Sequence, residues 1–280
     1  MDQKTFNALR EMIYDLAGIR LADKKISLVK ARIAKRIRAL NLKNEKEYLD
    51  YISSSAHQEE LVQLIDVIST NVTHFFRENG HFEFLKSEFS KWIAGGQKRF
   101  RIWSAGCSSG QEPYTIAMVL LDTLNTSKVH AMGIDLKILA TDISTQILQK
   151  AKAGVYPENK MGEIPPRFKN LFFNVERSHG EKVYTVKNNI KSIIKFGRLN
   201  LSKTPFPMKG PMDIIFCRNT MIYFDNSVRS RLVSDFYRLL KPDGYLMVGH
   251  SESLTGFNTN LIAIRPSVYI KKSMIQKKVS

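Results

Sequence analysis

Arg101-Ile-Trp-Ser-Ala-Gly-Cys-Ser-Ser-Gly-Gln-Glu-Pro113 runs from an apolar segment through a turn of small residues into the start of a helix. Phe100, Ile102 and Trp103 suit a buried strand, Gly106 and Gly110 permit a tight turn and close backbone approach, and Pro113 fits the first turn of a helix. A strand, a small-residue loop and a helix N-terminus in that order make a nucleotide-type ligand site.

Outward from this stretch the chain alternates. Strands are expected over 99–104, 136–141, 212–217, 245–249 and 267–271, with helices over 112–124, 144–153 and 227–240. Lys241-Pro-Asp-Gly244 reads as a turn closing the last helix. This is the pattern of an α/β fold with a mostly parallel sheet covered on both faces. Ligands in such sheets bind beyond the carboxyl ends of the strands, here residues 105–111, Asp142, Arg218-Asn219 and 250–252. At its strand end Asp142 suits the two hydroxyls of a ribose, or, with Ser144, the cap of the next helix. Three β-prone segments, 171–175, 182–186 and 193–196, interrupt the alternation, and Ser178-His-Gly180 supplies a hairpin turn, so a small antiparallel excursion is expected.

Before the opening strand the chain is helical. Residues 2–17 carry Phe6, Leu9, Ile13, Leu16 and Ala17 at helical spacing until Gly18. In 24–40 the apolar stripe Ile26, Val29, Ile33, Ile37 and Leu40 is flanked by Lys25, Lys30, Arg32, Lys35, Arg36 and Arg38. That basic surface is either the solvated face of a bundle helix or a docking face for an acidic partner. Helices over 45–53 and 58–69 complete the module. Residues 69–78 then mix hydroxyls, amides, aromatics and one arginine, and Asn71 or Thr73 could cap a helix there. His74 and His81 stand at no metal-ligand spacing, so surface or packing roles are expected.

With 280 residues and 43% hydrophobic content the chain suits one large or two small packed domains. Its longest apolar runs fall far short of the ~20 residues that cross a bilayer, and the N-terminus has no apolar signal core, so a cytoplasmic protein without membrane insertion is expected. The two cysteines, Cys107 and Cys217, fit a reducing compartment. A formal charge of +17 calls for an acidic partner, whether nucleic acid, an anionic membrane face or an acidic protein surface.

Gly106-Cys-Ser-Ser-Gly110 also spells the G-x-S-x-G nucleophile elbow of a serine hydrolase, with His250 late in the chain as a possible base. However, an α/β-hydrolase places several strands and an oxyanion loop before its elbow, and here the preceding chain is helical. Neither G-x-G-x-x-G nor a Gly-Lys-Ser/Thr ending is present, which removes the dinucleotide and P-loop signatures. An S-adenosylmethionine (AdoMet) site needs small side chains and close backbone approach but no phosphate-binding lysine.

Five blocks, in order, carry a specific resemblance. They are Thr70-Asn-Val-Thr-His-Phe-Phe-Arg-Glu78, Ile102-Trp-Ser-Ala-Gly-Cys-Ser-Ser-Gly-Gln-Glu-Pro-Tyr114, Ala140-Thr-Asp142, Ile215-Phe-Cys-Arg-Asn-Thr-Met-Ile-Tyr-Phe-Asp225, and Leu240-Lys-Pro-Asp-Gly244 with Gly249-His-Ser-Glu252. Together they resemble the CheR family of chemoreceptor protein-glutamate O-methyltransferases over nearly the whole chain. The resemblance implies a class I AdoMet-dependent methyltransferase with a Rossmann-like sheet over 77–280, an all-α basic N-terminal domain over 1–76 and an inserted antiparallel β subdomain over 171–197. It implies methyl transfer from AdoMet to receptor glutamates, yielding γ-methyl esters and S-adenosylhomocysteine, with no metal. An AdoMet-dependent nucleic-acid methyltransferase is the competing class, but no aromatic-basic ribonucleoprotein signature is present.

By the same resemblance the AdoMet contacts fall at Asn71, Thr73, Arg77, Glu112, Asp142, Asn200, Leu201, Arg218 and Asn219, and Gly106 belongs to the turn that holds the donor. Tyr223 matches a tyrosine near the methyl donor. Arg77 becomes either a cation on the non-attacking substrate oxygen or a partner of the AdoMet carboxylate. The chain departs from the family at Gln111, often a second Glu, and at Cys107, where Ala is also common. Its hairpin Arg177-Ser-His-Gly-Glu181 lacks the glycine-rich spelling of members that bind a receptor C-terminal peptide. The partners implied are methyl-accepting chemotaxis receptors, whose acidic helices would dock on residues 24–38, and a monomer is expected.

Overall fold

The computed structural model describes residues 1–54, 57–69, 72–127, 133–178 and 180–273. Its helices are α1 (Gln3–Ala17), α2 (Ile26–Ala39), α3 (Glu45–Ser53), α4 (Gln58–Ile68), α5 (Gly80–Ala94), α6 (Gln111–Thr126), α7 (Thr145–Ala153), α8 (Pro166–Phe172), α9 (Asn188–Lys191) and α10 (Asn226–Leu239). The strands are β1 (Arg99–Ala105), β2 (Asp135–Asp142), β3 (Val155–Pro157), β4 (Phe173–Ser178), β5 (Glu181–Val186), β6 (Ile194–Arg198), β7 (Met212–Cys217), β8 (Leu240–Val248), β9 (Leu261–Arg265) and β10 (Val268–Lys271).

Four N-terminal helices enclose their own core. Asp2 starts α1 by accepting the Thr5 N–H at 2.8 Å, and Asn44 starts α3 by accepting the Glu47 N–H at 3.0 Å. The expected stripes point inward: Phe6, Leu9 and Ile13 of α1 and Val29 and Ile33 of α2 bury against Tyr48, Ile52, Leu64 and Ile65. Within this core Arg36 reaches across to Glu60 with two hydrogen bonds of 2.9 and 2.6 Å, and the Tyr48 hydroxyl donates to the same carboxylate at 2.9 Å. Arg36 therefore leaves the basic surface and becomes part of the bundle. Arg32 likewise donates to the Ile68 carbonyl.

The remaining chain builds a seven-stranded sheet in the order β6-β2-β1-β7-β8-β10-β9. Strands β6 to β8 are parallel, while β10 and β9 close the far edge antiparallel. From β1 the chain proceeds outward through β2 and β6, then returns to β7 on the other side. The strand order thus reverses between β1 and β7, where such sheets open a crevice at their carboxyl ends. Period-two alternation sorts β1 between two cores: Phe100 and Ile102 pack with α5 and α6, whereas Trp103 and Ala105 pack with α10. Trp103 meets Phe206 and Phe236 edge-on and donates its indole N–H to Thr141 Oγ1 at 2.9 Å.

Three expectations change. Residues 193–196 do not join the antiparallel excursion; β6 pairs parallel to β2, with Ile138 opposite Ile194. Instead β3 completes the small three-stranded sheet, ordered β3-β5-β4. The expected hairpin turn includes His179, which lies outside the described residues. Second, Lys241-Pro-Asp-Gly244 is not the link into a strand at 245 but an irregularity inside β8, where pairing jumps from Met212–Leu240 to Ile214–Tyr245 and Asp243 adopts φ 58°. Third, β9 was not foreseen.

The bundle sits against the carboxyl edge of the sheet through polar contacts. Asp66 of α4 accepts the backbone N–H and the hydroxyl of Thr145, each at 3.1 Å, satisfying an orphan donor at the start of α7. The Tyr14 hydroxyl donates to Asp225, the N-cap of α10, at 2.6 Å. Asn200 donates to the Leu16 carbonyl at 2.7 Å, and the Arg20 N–H donates to the Tyr223 carbonyl at 2.9 Å. The Arg36–Glu60 pair predicts a test of the bundle: Arg36→Ala should cost about 3 kcal/mol by urea denaturation, because Glu60 is 6% exposed and would be left without its cation. Exposed Arg38→Ala should change stability by less than about 0.5 kcal/mol, and equal effects would contradict the assignment.

Candidate active site

The glycine turn leaves β1 at Ala105 and enters α6 at Gln111. Gly106 has φ 87°, and a Cβ built there would lie 2.4 Å from Thr220 Oγ1, so conformation and space both require glycine. Gly106 and Cys107 both donate their N–H to the Thr141 carbonyl, at 2.8 and 2.9 Å, which bends the turn over the end of β2. Gly110 has φ 94° and immediately precedes α6.

Asp142 governs the same turn. One carboxylate oxygen accepts the Ser108 N–H at 2.9 Å and the other accepts the Ser144 N–H at 3.0 Å, while Ser144 itself caps α7. Of the two helix-cap candidates, Ser144 and not Asp142 caps α7, while Asp142 organises two loops and lines the adjoining cavity. Burial raises its pKa above the ordinary aspartate value, against the pull of the Ser144 and Ser108 N–H groups.

Next to the turn, Arg218 lies 6% exposed between two carboxylates. Its Nη1 donates to Glu112 at 3.1 Å, its Nε and Nη2 donate to Glu78 Oε2 at 3.3 and 3.1 Å, and Nη2 also donates to the Arg77 carbonyl. Ser104 donates its hydroxyl to the other Glu112 oxygen at 2.7 Å. Burial raises the pKa of Glu112 despite Arg218. For Glu78, burial also works upward, but Arg218 and the His250 N–H outweigh it and hold the pKa below the usual glutamate value. A third carboxylate, Glu252, accepts the N–H groups of Asn219 and Gly249 at 2.7 Å each and of Ile222 at 3.1 Å, thereby fixing the loop after β7.

These contacts hold an unusual backbone. Glu78, Ser108 and Asn219 adopt φ of 54°, 49° and 57°, a left-handed conformation that costs non-glycine residues on the order of 1–3 kcal/mol each. Such residues gather where surrounding structure overdetermines the chain.

Between the bundle and the sheet edge lies a cavity of about 430 Å³. The fold brings together Thr73, Arg77, Gly106, Glu112, Asp142, Asn200, Leu201, Arg218, Asn219 and Tyr223 on its walls. Asn71 lies outside the described residues. Arg77 donates to the Val72 carbonyl at 3.0 Å, and the Asn200 side chain is committed to Leu16 and Ser202. The hydrolase arrangement does not assemble: the His250 ring lies edge-on to His81 at 5.4 Å, beside Glu78, and is not part of the cavity wall that holds Ser108.

Sequence reading missed Glu78 and Glu252 as organisers, although both end quoted motifs, and missed the bundle's share of the wall. Arg20, Lys25, Leu28 and Arg32 come from the α1–α2 connection and α2. The only available signal was the density of cations in 20–38, which gives no direction.

The cavity fits a donor of AdoMet's size and character. Its volume lies within the usual range for small-molecule sites, a ribose-competent carboxylate sits at the end of β2, and the backbone at Gly106 is bare where a side chain would intrude. Family comparison agrees with this geometry. A model of the CheR methyltransferase SAM-binding domain matches residues 71–270, and a model of the CheR methyltransferase all-alpha domain matches residues 4–69. A chemotaxis protein methyltransferase of Borreliella burgdorferi is 40% identical over 94% of this chain and 92% of its own. That of Escherichia coli is 36% identical over 94% and 89%, and chemotaxis protein methyltransferase 2 of Pseudomonas aeruginosa is 33% identical over 95% and 92%. With both parts of the chain matched and a cavity of small-molecule size between them, this protein belongs to the CheR family of AdoMet-dependent methyltransferases.

Proposed function

We propose that this enzyme methylates glutamate side chains on chemotaxis receptors in the cytoplasm, producing γ-methyl esters and S-adenosylhomocysteine. The observation that carries this reading is the position of α2 and the turn that precedes it: Lys25 of that turn and Leu28 of α2 form part of the donor cavity wall, and the exposed face of α2 continues away from that wall. On α2, Leu28, Lys35 and Arg38 follow at spacings of seven and three residues, and exposed Lys24 precedes them in the turn before the helix, so this surface carries three cations and an apolar side chain. Val72 and Ile222, both exposed and both on the cavity wall, add apolar surface at the same opening. An acidic, amphipathic receptor helix is complementary to that surface, and attraction of this kind weakens with salt.

When bound, AdoMet would supply an electrophilic methyl group on a sulfonium; a glutamate oxygen would form the new C–O bond as the C–S bond broke, with its electron pair left on sulfur. A glutamate with a reference pKa of ~4.3 is already ionised near neutral pH, and no general base is needed. The protein's task is to orient the carboxylate and exclude water. In this reading Tyr223 orients the nucleophile with one neutral hydrogen bond, which leaves its reactivity largely intact. Arg77 positions either the non-attacking oxygen or the donor's carboxylate. Asp142 takes the ribose hydroxyls, and Thr73, Leu201 and Asn219, with Asn71, complete the donor contacts. Arg218 acts by position, since its guanidinium is already spread over Glu78, Glu112 and the Arg77 carbonyl. Glu112 is left as the carboxylate that Arg218 presents to the donor.

Four outcomes are expected. Label from methyl-radiolabelled AdoMet should appear on receptor-containing membranes and be released by base as methanol; base-stable label on RNA would contradict the reading. Tyr223→Phe should lower turnover on the order of tenfold with little change in AdoMet Kd, and unchanged turnover would remove Tyr223 from the mechanism. Asp142→Asn should instead raise the AdoMet Kd about tenfold or more by calorimetry, whereas an unaltered Kd would assign this carboxylate to loop structure alone. Glu substitutions at Lys24, Lys35 and Arg38 should raise the receptor KM at low salt and leave AdoMet binding intact; an unmoved KM would make α2 an ordinary bundle helix.

A further inference from the structure

We propose that Glu78, His81 and His250, none of which lines the donor cavity, form a binding site for a divalent transition-metal ion of the zinc class. One ligand atom from each residue lies within 4.8 Å of the other two. Two imidazoles and one carboxylate are a donor set that zinc uses with a fourth, open position, and the borderline-soft imidazoles select zinc, cobalt or nickel over magnesium or calcium. Bond lengths of about 2.0–2.2 Å place tetrahedral ligand atoms ~3.4 Å apart, so the three must close by roughly 1 Å. His81 Nδ1 and a Glu78 oxygen are already 3.6 Å apart, which leaves most of the movement to His250. That side chain is exposed and can turn inward, and its exposure also provides the entry path.

The second observation is His81 itself. It is 3% exposed, yet neither ring nitrogen has a hydrogen-bond partner. A buried polar group without partners is costly, and a fold retains one where something else satisfies it. The ring also stands edge-on to His250 at 5.4 Å, so the two imidazoles converge on the same space beside Glu78. No spacing rule in the sequence finds this site, because residues 78–81 and 250 meet only when the segment before α5 crosses the end of β8.

The site is linked to the donor cavity through Glu78. Arg218 bonds the same Glu78 oxygen that faces His81, at 3.1 and 3.3 Å, and Asn219 reaches the other at 3.4 Å. A cation on this carboxylate competes for its charge and repels the Arg218 guanidinium, so occupancy loosens two cavity residues. Metal binding and AdoMet binding therefore oppose each other, and by linkage the opposition is mutual. The metal site itself does not depend on which acceptor the enzyme methylates.

Untagged full-length protein titrated with Co²⁺ should develop one equivalent of a visible d–d absorption band that Zn²⁺ displaces. His250→Ala, which alters an exposed side chain, and Glu78→Gln should each weaken binding at least about tenfold. Absence of the band, or equal affinity in wild type and both variants, would overturn the site. Saturating Zn²⁺ should raise the AdoMet Kd about fivefold or more in wild type but not in His250→Ala, and an unchanged wild-type Kd would overturn the linkage.

Discussion

The site depends on one buried cation and its two carboxylates. Arg218 directly follows β7 at the point where the strand order reverses, and it ties the segment before α5, through Glu78, to the start of α6, through Glu112. Three separate stretches of chain are thus referred to one planar guanidinium, whose fork fixes direction as well as distance. Removing it would leave two half-buried carboxylates facing each other, and the loss of one partner from a buried pair costs on the order of 3–5 kcal/mol. Its stacking over Phe82 at 5.3 Å adds an apolar anchor from α5. The left-handed backbones at Glu78 and Asn219 persist because this network holds both of their neighbourhoods.

Central features of the sheet were legible because central parallel strands are buried on both faces and read as continuous apolar runs, as in Ile214-Ile-Phe-Cys217 of β7. Its edges were not. Ile194–Arg198 alternates like a half-exposed strand, a pattern shared equally by an antiparallel hairpin and by an edge strand of the main sheet. Leu261–Arg265 buries only Leu261 and so carries almost no periodic signal. Lys241-Pro-Asp-Gly244 has turn chemistry, and a bulge within a strand draws on the same residues.

The residues at strand ends announced a ligand site because carboxylates and amides at those positions have few structural reasons to be there. Glu78 and Glu252 stood in the same motifs, but their roles arise from partners far along the chain; Glu78 and Arg218 are 140 positions apart. The basic surface of residues 24–38 was visible as composition only. Folding divides it, sending Arg36 to Glu60 inside the bundle and Arg32 to the Ile68 carbonyl, and leaving Lys24, Lys35 and Arg38 in solvent.

The chain between α1 and α2 contributes Ile19, Arg20 and Leu21 to the cavity wall, and the Arg20 N–H is bonded to the carbonyl of Tyr223. The helical bundle is therefore not an appendage whose removal would leave the cavity complete. A chimera that exchanged the bundles of two relatives would also exchange part of the small-molecule pocket. A single connection of about eight residues thus lines the cavity and leads directly into the basic surface of α2, so a change in it alters both.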